Sequence, residues 1–258
     1  MLLLVVTCVA SKPLKVCADP NNLPYSNRAG KGYENRIAEL LAAYLHRNLV
    51  YQWSRMDRGF VREFLNTGEC DVLVEVPANF APVLVTAPFY KSTYVFVTRR
   101  PGRTGISSFD DPQLRKMKIG LQILGDDYAS PGIALTRRGL AKNIVGFEGG
   151  GNDPGKIIRA VSAGNIDVAI VWGPLAGYYA RSTSHRLRLT PVPALDAPAI
   201  PFRYQISMAV KKGNRQLQQE LSGFLISQKT AIENVLREYG VPLLDVANPQ
   251  MASARGGS

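Results

Sequence analysis

The chain has few of the residues that carry out acid–base or metal chemistry, and few acids. Its 258 residues include two histidines, two tryptophans and three cysteines. Neither His46 nor His185 has a Cys, Ser or carboxylate at a spacing that would make a nucleophile–base pair, which argues against the common hydrolase chemistries. No apolar run approaches the roughly 18–20 residues that a membrane-spanning helix requires. Asp and Glu number 20 against 31 Lys and Arg, so the formal charge is +11. The basic residues come singly or in pairs, as at Arg99-Arg100, Arg137-Arg138 and Lys211-Lys212. That scatter, without a basic block or stacking array, argues against nucleic acid. It fits a basic surface that faces an acidic protein.

What is present is globular. The chain is 46% hydrophobic and 20% charged, long enough for a good core and for two lobes. Met1–Ala10, MLLLVVTCVA, reads as the end of a secretion signal without its basic start; a first buried strand is the alternative. Val5–Cys8 loosely matches a lipoprotein cleavage site, with Thr7 an unusual residue before the cysteine. If Cys8 leaves with the signal, Cys17 and Cys70 remain as an even pair, as suits an oxidising compartment. Register weighs against a bridge between them. Were their strands parallel with aligned carboxyl ends, the two would lie about five residues out of register, roughly 16 Å, beyond disulfide reach. A Cys17–Cys70 disulfide and two buried thiols therefore both stand open.

Elements follow from periodicity. Leu14–Ala18 is a short apolar strand that breaks into the loop of KVCADPNNLPYSN (Lys15–Asn27), where Asp19, Pro20, Asn21, Asn22 and Pro24 are turn formers. Glu34–His46 has apolar residues at helical spacing, and Leu49–Trp53 is a strand. Asp57 can cap a helix to Asn66, stopped by Gly68. Strands follow at Asp71–Val76 and Tyr94–Thr98. A second unit has strands at Lys118–Leu121, Ile144–Phe147 and Ile166–Val171. Its helices run over Tyr128–Gly139 and from Asp153-Pro154 to Gly164. Ser207–Val210 is a late strand, and Asn214 caps one long amphipathic helix reaching Tyr239.

The chain also repeats itself. VREFLNTGECDVLVEVP (Val61–Pro77) and IRAVSAGNIDVAIVWGP (Ile158–Pro174) both read as helix, Gly stop, Asp-Val, buried strand and a turn with Pro. Two lobes on one βαβ plan explain this. In an open α/β lobe, the loop leaving a strand's carboxyl end meets the ligand, which makes Asp19, Asn21, Asn22 and Tyr25 site candidates. Glu75, Phe89, Tyr90 and Trp172 are candidates from later loops and strand ends. Gly149–Gly151 resembles a phosphate cradle, but no GKS or GKT follows; an interlobe loop is the better reading.

The order of elements resembles the type II periplasmic solute-binding fold: α/β, two lobes, each a mixed mostly parallel sheet flanked by helices, joined by two crossover strands. The first lobe is expected at 12–98 with a return at 206–245, the second at 99–205. Residues 1–11 are then a signal remnant and 246–258 a flexible tail. Within that superfamily, VCADPNNLPYSN, YENRIAELLA, RGFVR, ECDVLVEVPA, APFYKSTYVFV, GDDYA and IDVAIVWGPLAGYYA resemble the MxaJ/XoxJ type. These are solute-binding-like proteins that accompany periplasmic PQQ-dependent methanol and ethanol dehydrogenases. The resemblance implies a monomeric, non-enzymatic periplasmic accessory protein without a cofactor of its own. Its protein partner would be the dehydrogenase, whose maturation or activation it supports.

The resemblance also says what is missing. Amino-acid-binding relatives place an Arg near the position of Asn79, to clamp the ligand carboxylate, and an Asp near Trp172, to pair with the ligand ammonium. An amide and an indole stand there instead, and a buried charge without its partner costs several kcal/mol. At the expected start of the second lobe's first helix, Asp126 and Asp127 repel an anion. They are either helix caps or contacts for a cationic or polar group. A metal site from Asp19, Glu75, Asp126 and Asp127 lacks calcium-loop spacing. The alternative functions are a receptor for an ABC importer, with a small polar solute other than a standard amino acid, and a lyase-like enzyme on the same frame.

Overall fold

The computed structural model describes residues 12–56, 59–100, 105–124, 127–128, 130–149, 153–196 and 200–244. The signal-like segment, Cys8, Asp57, Asp126, Gly150-Gly151 and the polar tail lie outside the described residues. The first unit has strand β1 (Leu14–Ala18), helix α1 (Tyr33–Tyr44), β2 (Leu49–Trp53) and β3 (Val72–Pro77). β4 (Tyr90–Arg99) leads to β5 (Ile119–Leu124), α2 (Ser130–Arg137), β6 (Ile144–Glu148), α3 (Lys156–Ala163), β7 (Val168–Trp172), α4 (Gly173–Ala180) and β8 (Leu187–Pro191). β9 (Arg203–Val210), α5 (Arg215–Ser227) and α6 (Lys229–Glu238) follow. The main sheet runs β6-β5-β7-β4-β9-β3-β1-β2, with β8 on β4. Its two ends are parallel, and its middle, around β4 and β9, is antiparallel.

β4 serves both ends of the sheet. Tyr90–Thr93 pairs with Ile206–Arg203 of β9, and Tyr94–Thr98 pairs with Trp172–Val168 of β7. Apolar side chains collect accordingly. One core joins Val16, Ile37, Leu41, Val74, Met208 and Phe224. In the second unit β7 is buried on both faces. Val168 and Ile170 pack with Phe96, Leu121 and Phe202, while Ala169 and Val171 pack with Val97, Ile157 and Leu175. Covering on both faces is why this strand reads as an unbroken apolar run.

The repeat has a structural counterpart. Asp71 Oδ2 accepts the Lys15 N–H at 3.0 Å, and Asp167 Oδ2 accepts the Lys118 N–H at 2.9 Å. In each unit the aspartate thus ties the entry of its own strand to the entry of the first strand. The two glycine stops, Gly68 and Gly164, share a left-handed backbone at φ +85° and +81°.

Four expectations are corrected. β4 starts at Tyr90, four residues before the expected Tyr94. Its polar Ser92 and Thr93 are fully buried and hydrogen-bonded to the Pro242 and Phe202 carbonyls, so polarity hid a strand. The helix expected over 57–66 contracts to a π-helical turn at Val61–Leu65. The helix expected from Tyr128 begins at Ser130, because Asp127-Tyr128 is drawn into a short antiparallel pairing with Ile123-Leu124. Asp127 therefore stands three residues before that helix, too far back to cap it. The single long C-terminal helix divides at Gln228, whose φ of −104° and ψ of 15° leave the helical region.

Cys17 and Cys70 form a disulfide with a Cα–Cα distance of 5.4 Å. The five-residue offset does not hold because the strand ends are staggered. Cys17 lies opposite Leu73, so Cys70 is three residues back. The turn before β3 then folds it toward β1, with the Asp71 N–H on the Lys15 carbonyl at 2.7 Å.

On one side the two units meet backbone to backbone. α4 lies on residues 240–242, where a Cβ on Gly177 would come within 1.8 Å of the Gly240 carbonyl oxygen. One on Gly173 would come within 2.6 Å of the Thr93 oxygen. Arg181 donates to the Glu238 and Arg237 carbonyls at the end of α6, where a cation suits the helix dipole.

Candidate functional site

The loop after β1 is built by its own polar groups. Asp19 is buried, its Oδ1 accepting the Asn21 N–H at 2.9 Å and its Oδ2 the Met56 N–H at 3.2 Å. Ser26 Oγ exchanges hydrogen bonds with the Asp19 backbone at 3.0 and 2.9 Å. Asn21-Asn22 and Ser26-Asn27 pair as a small hairpin. The loop is then fastened from outside: Tyr179 of α4 donates to the Leu23 carbonyl at 3.2 Å, and Tyr239 to the Lys31 carbonyl at 2.8 Å.

Beneath the loop lies a paired-acid cluster. Glu75, near the carboxyl end of β3, accepts the Tyr33 hydroxyl at 2.8 Å and the Tyr90 hydroxyl. Glu34, in the first turn of α1, donates a third hydrogen bond to it. Burial pushes the Glu75 carboxyl up to about 7, against the lowering effect of hydrogen bonds from Tyr90, Tyr33 and Glu34. Burial, and then the charge of Glu75, hold Glu34 well above the ordinary carboxylate range, with Asp19 adding to the effect. Burial likewise holds the Tyr25, Tyr33 and Tyr90 phenols well above their usual range.

This cluster makes stability pH-dependent. At Glu75 the folded chain holds a proton that the unfolded chain has lost, from about pH 4.5 to about 7. Stability is then full below that window and falls as pH rises through it, by up to about 1.4 kcal/mol per pH unit for each proton. The melting temperature is expected to fall between pH 5 and pH 8. Glu34→Gln, which keeps a donor toward Glu75 but cannot lose a proton, should flatten the slope. Calorimetric scans across that range are the check, and a melting temperature that rises with pH would contradict this reading.

Across from the acids stands an aromatic wall. Trp172 ends β7 and faces Tyr94, its register partner on β4, at 5.4 Å between ring centroids. Tyr204 of β9 stands 5.7 Å from Trp172 and 6.4 Å from Tyr94. The Tyr204 hydroxyl lies 3.1 Å from Ser130 Oγ, at the start of α2. Trp172 and Tyr204 also pack against the first unit's core, as do Tyr25 and Phe89, so the wall adjoins the acid cluster.

The structure thus brings Tyr25, Glu75 and Tyr90 together around Tyr33, with Asp19 holding the loop above and Trp172 in an aromatic group with Tyr94 and Tyr204. Asn22 is half-buried in the hairpin, its carbonyl accepting the Tyr25 N–H at 2.9 Å. Asn21 and Asn79 are exposed. Asp127 is placed by its backbone pairing alone, and Asp126 lies outside the described residues. Tyr33, Glu34, Tyr94 and Tyr204 were not expected at the site. A signal for Glu34 did exist: it falls three and seven residues before Ile37 and Leu41, on the buried face of α1.

Chemically, the Tyr94, Trp172 and Tyr204 rings can receive apolar or aromatic groups edge to face.

No family model matches the chain. The protein MoxJ of Methylorubrum extorquens is 32% identical over 261 residues, covering 93% of this chain and 85% of that protein. The crystal structure of MxaJ from Methlophaga aminisulfidivorans MPT aligns at a TM-score of 0.81 and 28% identity, over 90% of this chain and all of that one. That of the periplasmic binding protein XoxJ from Methylobacterium extorquens AM1 aligns at 0.74 and 33% identity, over 90% and 99% of the two chains.

Proposed function

Because the chain belongs to the MoxJ family, with the fold of type II periplasmic binding proteins, we propose that it is a non-enzymatic periplasmic accessory protein. It supports the maturation or activation of a PQQ-dependent methanol dehydrogenase by holding a segment of that enzyme in its cleft. The observation that carries this reading is the wall of Trp172, Tyr94 and Tyr204, whose Trp172 the resemblance sets against the charge anchor of amino-acid-binding relatives. Aromatic side chains offer large, rigid contact area to a partner's apolar groups, whereas a free amino acid would bury charges without partners. The Cys17–Cys70 disulfide supports an oxidising compartment.

The test is reconstitution. The dehydrogenase of the same organism, matured without this chain, should gain activity when the purified chain is added, and should bind it at micromolar or lower Kd. Trp172→Ala is expected to weaken binding about tenfold, the scale of an interface anchor. A single amino acid or small polar solute that raises the melting temperature by several degrees at micromolar concentration would instead make the chain a solute receptor.

A further inference from the structure

On its α5–α6 side the first unit carries a further concavity, which reaches Phe89 and Tyr90 at the start of β4. A groove of about 800 Å³ opens between α5, α6 and the segment that leads into β4. Its floor includes Phe89, Leu225 and Leu243, and Ile226 stands at its lip with 80% of its surface exposed. A lone exposed isoleucine is unremarkable; one at the lip of an apolar groove belongs to a larger patch. The charged rim is Lys229, Glu233 and Arg237. Glu233 is taken up by Arg237 at 3.1 Å, which leaves Lys229 to set the local sign on a chain of net charge +11.

We propose that this groove is a second docking surface, for an acidic protein segment that presents adjacent large apolar side chains flanked by carboxylates. Under the reading of the previous subsection, on which this rests, the segment belongs to the dehydrogenase. Charge chooses among the occupants. A second copy of this chain would bring another +11 to the interface, which opposes self-association. The chain's own residues 245–258, DVANPQMASARGGS, follow directly from the groove residue Leu244 but hold only Val246 and Met251 as large apolar side chains. Its one acidic and one basic side chain, Asp245 and Arg255, cancel, so its side chains supply no net charge complement. An acidic partner satisfies both the apolar floor and the basic rim, and its binding weakens with added salt.

The experiment compares the unaltered chain with Ile226→Glu, Lys229→Glu and Ile133→Glu for binding to the dehydrogenase by calorimetry, at low and high salt. Ile133 is a control on α2, also apolar and 49% exposed. Both Ile226 and Lys229 variants should keep the melting temperature of the unaltered chain and weaken binding about tenfold or more, while Ile133→Glu binds normally. High salt should weaken the unaltered chain more than Lys229→Glu. Normal binding by Ile226→Glu overturns the groove and leaves the dehydrogenase reading intact. Equal weakening by Ile133→Glu overturns it too, since any added negative charge would then suffice. Failure of the unaltered chain to bind removes the dehydrogenase reading and the groove's partner together. A dimer in sedimentation that Ile226→Glu dissolves makes a second copy the occupant and overturns the acidic partner.

Discussion

Gly177→Ala is expected to melt roughly 6–12 °C below the unaltered chain. Its new Cβ would lie 1.8 Å from the Gly240 carbonyl oxygen and 2.7 Å from the Gly240 carbonyl carbon. Both are backbone atoms, so no side chain can swing aside to make room. Relief requires moving α4 or residues 240–242 by more than an ångström. The first movement strips the Tyr179 bond to the Leu23 carbonyl and the stack of Tyr178 on Tyr239 at 5.8 Å. The second disturbs the Pro242 carbonyl that satisfies Ser92. Overpacking of this kind costs typically 1–3 kcal/mol and sometimes more, and a rigid backbone contact belongs at the upper end. For a chain of this length each kcal/mol is worth about 2–4 °C. Differential scanning calorimetry decides it, with Gly68→Ala as the comparison. A Cβ at Gly68 meets nothing within 4 Å, and that variant has only the left-handed backbone to contend with. A Gly177→Ala melting temperature within about 2 °C of the unaltered chain would mean that α4 does not rest on Gly240.

The second large effect belongs to the disulfide. Cys17 and Cys70 are 53 residues apart in sequence, and closing a loop of that size in the unfolded chain is worth about 4 kcal/mol on the chain-entropy estimate. The bridge is fully buried beside Phe60 and Leu65. A double Cys17→Ala, Cys70→Ala variant therefore loses the constraint and some packing. Its melting temperature is expected to fall by roughly 10 °C or more. The denaturant midpoint should fall in step, and the unaltered chain under reducing conditions should show the part of the loss that comes from the constraint alone. Reduced and oxidised chains with matching denaturation curves would show that the bridge does not stabilise the fold.

How much of this could be read from the residues depends on whether the signal was local. β7 and its helix stop at Gly164 were legible because an unbroken apolar run and a glycine are local features. The pairing of the two units was legible through their shared Gly stop and Asp-Val. The staggered strand register was not, because it depends on where β3 begins relative to β1, which the sequence of either strand leaves open. The first four residues of β4 were hidden because Ser92 and Thr93 are polar, and what makes them strand residues is a carbonyl more than a hundred positions away. The break at Gln228 carries neither Gly nor Pro, so no local punctuation marked it. At the site, the aromatic and acidic residues on strand ends and in the first loop were visible as candidates. Tyr33 and Glu34 were not, because they sit in a helix whose apolar periodicity drew attention to other positions.

The place of β9 in the sheet also governs how the chain can be made. It lies between β3 and β4, yet begins at Arg203, more than a hundred residues after β3 ends at Pro77. While the polypeptide emerges from its amino end, β2, β1 and β3 can associate early, but the free side of β3 has no neighbour until nearly the whole chain is present. An open strand edge beside apolar surface is where chains aggregate. The stretch from β5 to α4 needs no residue beyond itself for its parallel strands and can consolidate in the meantime. The last strand to arrive is thus the one that joins the two halves, and a chain truncated before Arg203 would keep the hairpin loop and Glu75 but leave the edge of their sheet uncovered.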